Sequence, residues 1–211
     1  MSLNTVKLGD IKQSVKRQFG DESGYQLDDS DIVRWANLAQ MEIVSKNKVL
    51  RATTVLFNSA EGIPLYEKPD DTLQVNSCQY KGLLLASVGL DEFISKGYRI
   101  DGQPNKDTET TEWTQMAGNI YVNGKPSHSE GLTIVYVPEP TELTVDSDVI
   151  SVPDRYYNRI LEFILSKAYE MDEDWNGHQV QRQMFEDNLV SLSNEESDTY
   201  GPYPVVQDYE Y

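Results

Sequence analysis

The order of local patterns constrains this chain more than any single motif does. Two helical patterns fill the first fifty residues, turn-separated strand signals run from about residue 48 to residue 138, and two more helical patterns follow. Residues 143–154 make the return. Neither helical pair is large enough to bury its own apolar stripe, so the four helices are expected to meet across the β-rich insert. The expected fold is α+β: a small four-helix bundle from 1–47 and 141–193, a β-rich insertion over 48–140, and an extended C-terminal arm over 194–211. Such a shape suits assembly more than chemistry.

The first helix is predicted over residues 5–19, where Leu8, Ile11, Val15 and Phe19 recur at spacings of three and four and Gly20 supplies a stop. The second is the clearest local signal. Asp28 is a good N-cap, Leu27 and Ile32 form a hydrophobic staple, Asp28 with Asp31 approximates a capping box, and the inward face reads Ile32, Trp35, Ala39 and Ile43. The third opens after Pro153 with a stripe of Tyr157, Ile160, Ile164, Ala168 and Met171. Leu161, Phe163 and Leu165 make it apolar on more than one side, which marks them as candidates for a subunit interface. Asn176-Gly177 reads as the connector to a fourth helix over about 178–193, so helices three and four are antiparallel neighbours. Trp175 at that corner is a core lid or a further subunit contact.

In the middle, residues 52–57, 63–66, 72–79, 83–86, 113–116, 119–122 and 132–137 read as strands, and 88–96 as a short helix. Lys81-Gly82 and Asn123-Gly124 are turn signals. The polar stretch 100–111, with Gly102 and Pro104, reads as a mobile loop. Ile134 and Tyr136 alternate with Val135 and Val137, so the last strand is expected to be covered on both faces. From Asn194 the helical period stops. The segment beyond is too polar for a core of its own, yet it carries Tyr200, Pro202, Tyr203, Val205, Val206, Tyr209 and Tyr211. Tyrosine combines large contact area with a polar handle, so these residues form a candidate docking arm that orders on a partner, as by adding a strand to a sheet edge.

Composition narrows the function classes. A net charge of −17 disfavours attachment to nucleic-acid phosphates and to anionic membranes. No apolar run approaches the roughly 20 residues of a membrane span, and Asn4, Lys7 and Asp10 interrupt any signal-peptide core. The lone Cys78 rules out an internal disulfide and fits a reducing compartment. His128 and His178 lie fifty residues apart without partners at metal-ligand spacing. Asp28-Asp29-Ser30-Asp31 resembles a calcium ligand set but lacks the glycine and distal glutamate of a calcium loop, and helix capping explains it better. There is no phosphate loop and no nucleophile elbow. No catalytic residue, metal ligand or cofactor is expected, and no enzyme.

Three segments carry a resemblance. The first is Leu27-Asp28-Asp29-Ser30-Asp31-Ile32-Val33-Arg34-Trp35-Ala36-Asn37-Leu38-Ala39-Gln40-Met41-Glu42-Ile43. The second is Ile134-Val135-Tyr136-Val137-Pro138-Glu139-Pro140-Thr141-Glu142-Leu143 followed by Asp146-Ser147-Asp148. The third is Val152-Pro153-Asp154-Arg155-Tyr156-Tyr157, leading into Ala168-Tyr169-Glu170-Met171-Asp172. In this order the chain resembles the head–tail adaptor (connector) proteins of tailed bacteriophages, over its length to about Leu192. The resemblance implies a virion protein of the neck, made in the host cytoplasm, forming a homo-oligomeric ring of about twelve copies beneath the portal protein. Such a ring extends the DNA channel, lets DNA pass without specific binding, involves no membrane, and offers a platform to a neck or tail protein. A conduit wall should repel phosphate, and twelve chains would carry on the order of 200 negative charges. Two other readings stand beside it: a neck or tail-completion protein further from the portal, and a carbohydrate-binding accessory module whose insert displays exposed aromatics.

Overall fold

In the computed structural model, which describes residues 5–103, 105 and 108–200 and side chains as far as Leu192, the chain divides into two compact units. One comprises the described residues up to Val49 together with those from Pro140 onward; the other is Leu50–Glu139.

In the first unit, α1 (Leu8–Phe19) begins later than its periodicity suggests. Residue 7 is drawn into extended structure by a bridge to Val149, and the Asp10 carboxylate caps its N–H at 3.1 Å. Gly20, at φ +87°, ends the helix in a left-handed conformation that a side chain would strain. The Asp21 carboxylate then accepts the N–H groups of Tyr25, Gln26 and Leu27 at 2.8–2.9 Å, which fixes the loop into α2 (Asp29–Asn47). The N-cap is Asp28, as expected, with its carboxylate on the Ser30 N–H at 2.8 Å. All four residues of the anticipated stripe, Ile32, Trp35, Ala39 and Ile43, are buried.

A 3-10 turn (Asp154–Tyr156) leads into α4 (Tyr157–Met171), which packs against α1, α2 and α5 (Trp175–Tyr200). Helix α5 starts earlier and ends later than expected. The chain reverses at residues 172–174, where Glu173 takes φ +59°, and Asn176 and Gly177 lie inside the first turn of α5. Glycine suits that position because a Cβ would meet the Tyr169 ring at 2.9 Å and the Asp174 carboxylate at 2.7 Å. The backbone stays helical past Ser193 to Tyr200.

The returning segment 140–153 forms a strap tied down at both ends. Leu8 and Gly9 donate their N–H groups to the carbonyls of Asp148 and Asp146 at 2.9 and 3.0 Å, and Ile150 donates to Val6 at 3.1 Å. Asn37 of α2 pairs with both backbone groups of buried Leu143, donating at 3.0 Å and accepting at 2.8 Å. One turn on, the Gln40 carbonyl accepts the Ser151 N–H at 2.7 Å.

The second unit contains two four-stranded sheets. The first has the order β1 (Ala52–Leu56), β8 (Leu132–Pro138), β3 (Thr72–Tyr80), β4 (Leu83–Leu84), antiparallel throughout. The second runs β2 (Leu65–Glu67), β7 (Asn119–Val122), β6 (Glu112–Met116), β5 (Ala86–Ser87), with β5 and β6 parallel. Their inner residues share one core of Tyr66, Val75, Cys78, Tyr80, Trp113, Ile120, Val122, Leu132, Ile134 and Tyr136. A short α3 (Leu90–Ser95) packs on β6, and its buried Phe93 lies against Tyr98 with ring centroids 4.9 Å apart.

The α+β class holds, but the expected small four-helix bundle is overturned. The described chain has five α-helices and two multi-stranded sheets, so it is β-rich rather than a bundle. The physical reason is that the middle segment holds enough large apolar side chains to build its own two-sheet core. Finer corrections follow from the same sheets. The single strand expected over 83–86 breaks at buried Leu85, which bonds to the Cys78 carbonyl at 2.9 Å, and the chain then switches sheets. The β6–β7 hairpin turns at Ala117-Gly118, with φ of +48° and +83°, a type I′ pattern. Asn123-Gly124 instead ties neighbouring backbone together, because the Asn123 side-chain oxygen accepts the N–H groups of Thr111 and Glu112, each at 2.7 Å. Strand β8 is covered on only one face within its unit for most of its length: Leu132, Ile134 and Tyr136 are buried, while Thr133 and Val135 stay partly exposed.

Candidate interaction surfaces

Among the described residues no group of three or more His, Cys, Asp and Glu could hold a metal ion, and no helix is long and apolar enough to cross a membrane. The histidines are held by backbone. His128 Nδ1 lies 2.8 Å from the Asn58 carbonyl, and His178 Nδ1 lies 2.9 Å from the Ser166 carbonyl. Cys78 is fully buried, and burial pushes its thiol pKa well above the ordinary range, which makes it unreactive. In the β unit Tyr66, Tyr80, Phe93, Trp113, Tyr121 and Tyr136 are buried and Tyr98 is half-buried, which leaves Phe57 as its exposed aromatic among the described residues, whereas a glycan platform would need several such faces.

The anticipated interface residues separate. Leu161, Phe163 and Leu165 are buried within their own unit, which accounts for the several apolar sides of α4. Phe163 packs on Phe185 with ring centroids 5.3 Å apart. Trp175, at the start of α5, is 62% exposed. Tyr200 is the last residue of the α5 backbone, and Pro202, Tyr203, Val205, Val206, Tyr209 and Tyr211 lie outside the described residues.

Helix α5 is fastened to α2 by charge. Arg182 grips both oxygens of Glu42 at 3.2 and 2.5 Å, and also Glu186 at 2.9 Å, while its guanidinium lies over Phe163 and Phe185. Burial alone would raise the Glu42 pKa, but Arg182 and Lys46 outweigh it and hold the carboxyl below its ordinary value. Glu162, buried beside Arg159 and bonded by Asn188 at 3.2 Å, is raised by its burial. The outer side of α5 carries Val180, Met184 and Val190 in solvent, mixed with Gln183 and Asp187.

A different surface escaped the sequence reading. In the first sheet, Val55, Thr133, Gln79 and Leu84 lie in one cross-strand row, and Thr53, Val135 and Ser77 in another. Both rows face away from the core. Phe57, by the same alternation, extends this face beyond β1 and is 61% exposed; Val55 and Leu84 are 48% and 52% exposed. Val55 and Phe57 occupy the space that a side chain at Gly131 would need. The period-2 alternation Thr53, Val55, Phe57 was the available signal, but alternation does not say which face is left open.

The charge is also unevenly spread: 23 acids against 11 Lys and Arg in 1–49 with 140–211, and 12 against 7 in 50–139. No protein of curated function matches the chain. The profile of the family described as SU10 adaptor protein matches residues 6–207, past Leu192 and into the acidic, tyrosine-bearing segment that the resemblance had left out. A match over nearly the whole chain shows that it belongs to the SU10 adaptor protein family, a structural family of phage adaptors.

Proposed function

We propose that this adaptor forms a ring of about twelve copies beneath the portal protein, joins head to tail, and extends the channel through which DNA leaves. The observation that carries the reading is the family match over residues 6–207. The charge of −17 per copy supports it, because a wall of that sign repels a passing phosphate backbone. The face toward the tail would receive a neck or tail protein.

The segment after Tyr200 is the proposed arm. Its tyrosines and the Val205-Val206 pair give it contact area, and it follows in sequence on α5, a helix about 39 Å long (26 residues at 1.5 Å each). The arm is tested by co-sedimentation with the portal ring, comparing the full chain with one ending at Tyr200. That end point matters, because stopping at Asn194 would remove the last turns of α5 as well. Loss of portal binding on truncation supports the arm; equal binding by both chains rejects it and leaves the ring reading standing.

A further inference from the structure

The uncharged outer face of the first sheet is the surface through which one copy meets the next; we infer this from its composition against the rest of the molecule, and the inference rests on the ring reading above. Across β1, β8, β3 and β4 the outward residues are Thr53, Val55, Ser77, Gln79, Leu84, Thr133 and Val135, with Phe57 just beyond. None carries a charge, in a chain where 25% of residues do. Charged side chains resume at the strand ends, at Arg51, Asp71, Lys81, Glu130 and Glu139.

The choice of occupant follows from like-charge repulsion. A basic partner would be recognised by acids, and this protein offers acids over most of its sequence. A second copy brings another −17, so an interface between copies is favoured where neither side presents a carboxylate. The outer side of α5 fits less well, since Asp187 sits among its apolar residues and Glu186 beside them. Strand β8 supplies an independent argument. Its apolar residues alternate onto both faces, the mark of a strand covered twice, yet Thr133 and Val135 remain partly exposed in the single copy. Gly131 adds a third: the missing side chain there lets Val55 and Phe57 lie down over the strand as a continuous apolar surface. A large exposed aromatic seated in this way fits the anchor role that dominates protein interfaces.

The test uses full-length protein, alone at high concentration and with its portal ring, read by sedimentation velocity and electron microscopy. Val55→Asp and Phe57→Asp place a charge on the face at positions 48% and 61% exposed, so both variants should stay folded, with only a modest loss of thermal stability from their packing over Gly131. Met184→Asp on α5 is the control. The expected result is assembled wild type and Met184→Asp, with copy–copy association weakened about 100-fold or more in the sheet variants. Assembly of the sheet variants as readily as wild type would overturn the inference while leaving the ring reading intact. Loss of assembly in Met184→Asp alone would overturn it in favour of α5. Wild type that stays monomeric, alone and with the portal, would overturn both.

Discussion

Asn37 is the most exacting single test of how the helical unit is closed. Its side-chain amide imitates a strand neighbour, donating to the Leu143 carbonyl at 3.0 Å and accepting the Leu143 N–H at 2.8 Å. Leu143 itself is 1% exposed, so water cannot replace the lost partner without lifting the strap. Asn37→Ala leaves one buried donor and one buried acceptor unpaired, each costing about 1–3 kcal/mol, or about 2–4 kcal/mol together after partial relaxation. For a protein of this size that corresponds to a fall in Tm of about 10 °C for the helical unit. The assay is thermal unfolding followed by far-ultraviolet circular dichroism, paired with hydrogen exchange at the Leu143 amide. Leu38→Ala, one residue along on the exposed side of α2, is the control and should shift Tm by no more than a degree or two. An Asn37→Ala protein with wild-type Tm and an unchanged Leu143 exchange rate would refute the strap argument.

Other outcomes follow from the same structure. Gly131→Ala forces Val55 and Phe57 off β8 and should cost the β unit about 1–3 kcal/mol in urea unfolding. Arg182→Ala leaves Glu42 without its main partner and uncovers Phe163 and Phe185; allowing for their partial exposure, the loss should be about 1–2 kcal/mol, smaller at high salt. Asp21 accepts backbone N–H groups that lower its folded pKa, Leu27 most of all; its contribution is therefore present above the unfolded value near 4 and fades as pH falls through the folded one. Asp21→Asn should accordingly lower Tm at pH 7, and the gap from wild type should narrow as pH falls below the unfolded value near 4, measured as Tm against pH.

What was legible in the sequence was local. The stripe of α2 is carried by spacings of three and four, and the Asp28 cap by neighbours two residues away, so both could be read without the rest of the fold. Sheet membership was not local. Strand β1 pairs with β8 across the whole β unit, and nothing within residues 83–87 announces that the chain leaves one sheet at Leu85 and enters another. Of the two turn signals, Lys81-Gly82 makes the β3–β4 turn as expected, and the other misled for a related reason: Asn123-Gly124 has ideal hairpin chemistry, but Asn123 is spent on the N–H groups of Thr111 and Glu112, while Ala117-Gly118 makes the β6–β7 turn. At the surface, Leu161, Phe163 and Leu165 looked like interface because a single helix cannot show how many neighbours will surround it; α1, α2 and α5 all do. Phe57 and Val55 were visible as one side of a strand, but only the sheet registers show that this side is the outer one.

The most direct measurement on the central proposal is electron microscopy of the full-length chain mixed with the portal protein of the same phage. The account predicts added density coaxial with the portal, in about twelve equivalent copies, enclosing an open channel. Portal particles unchanged by the protein, or bound by single copies at scattered positions, would contradict it.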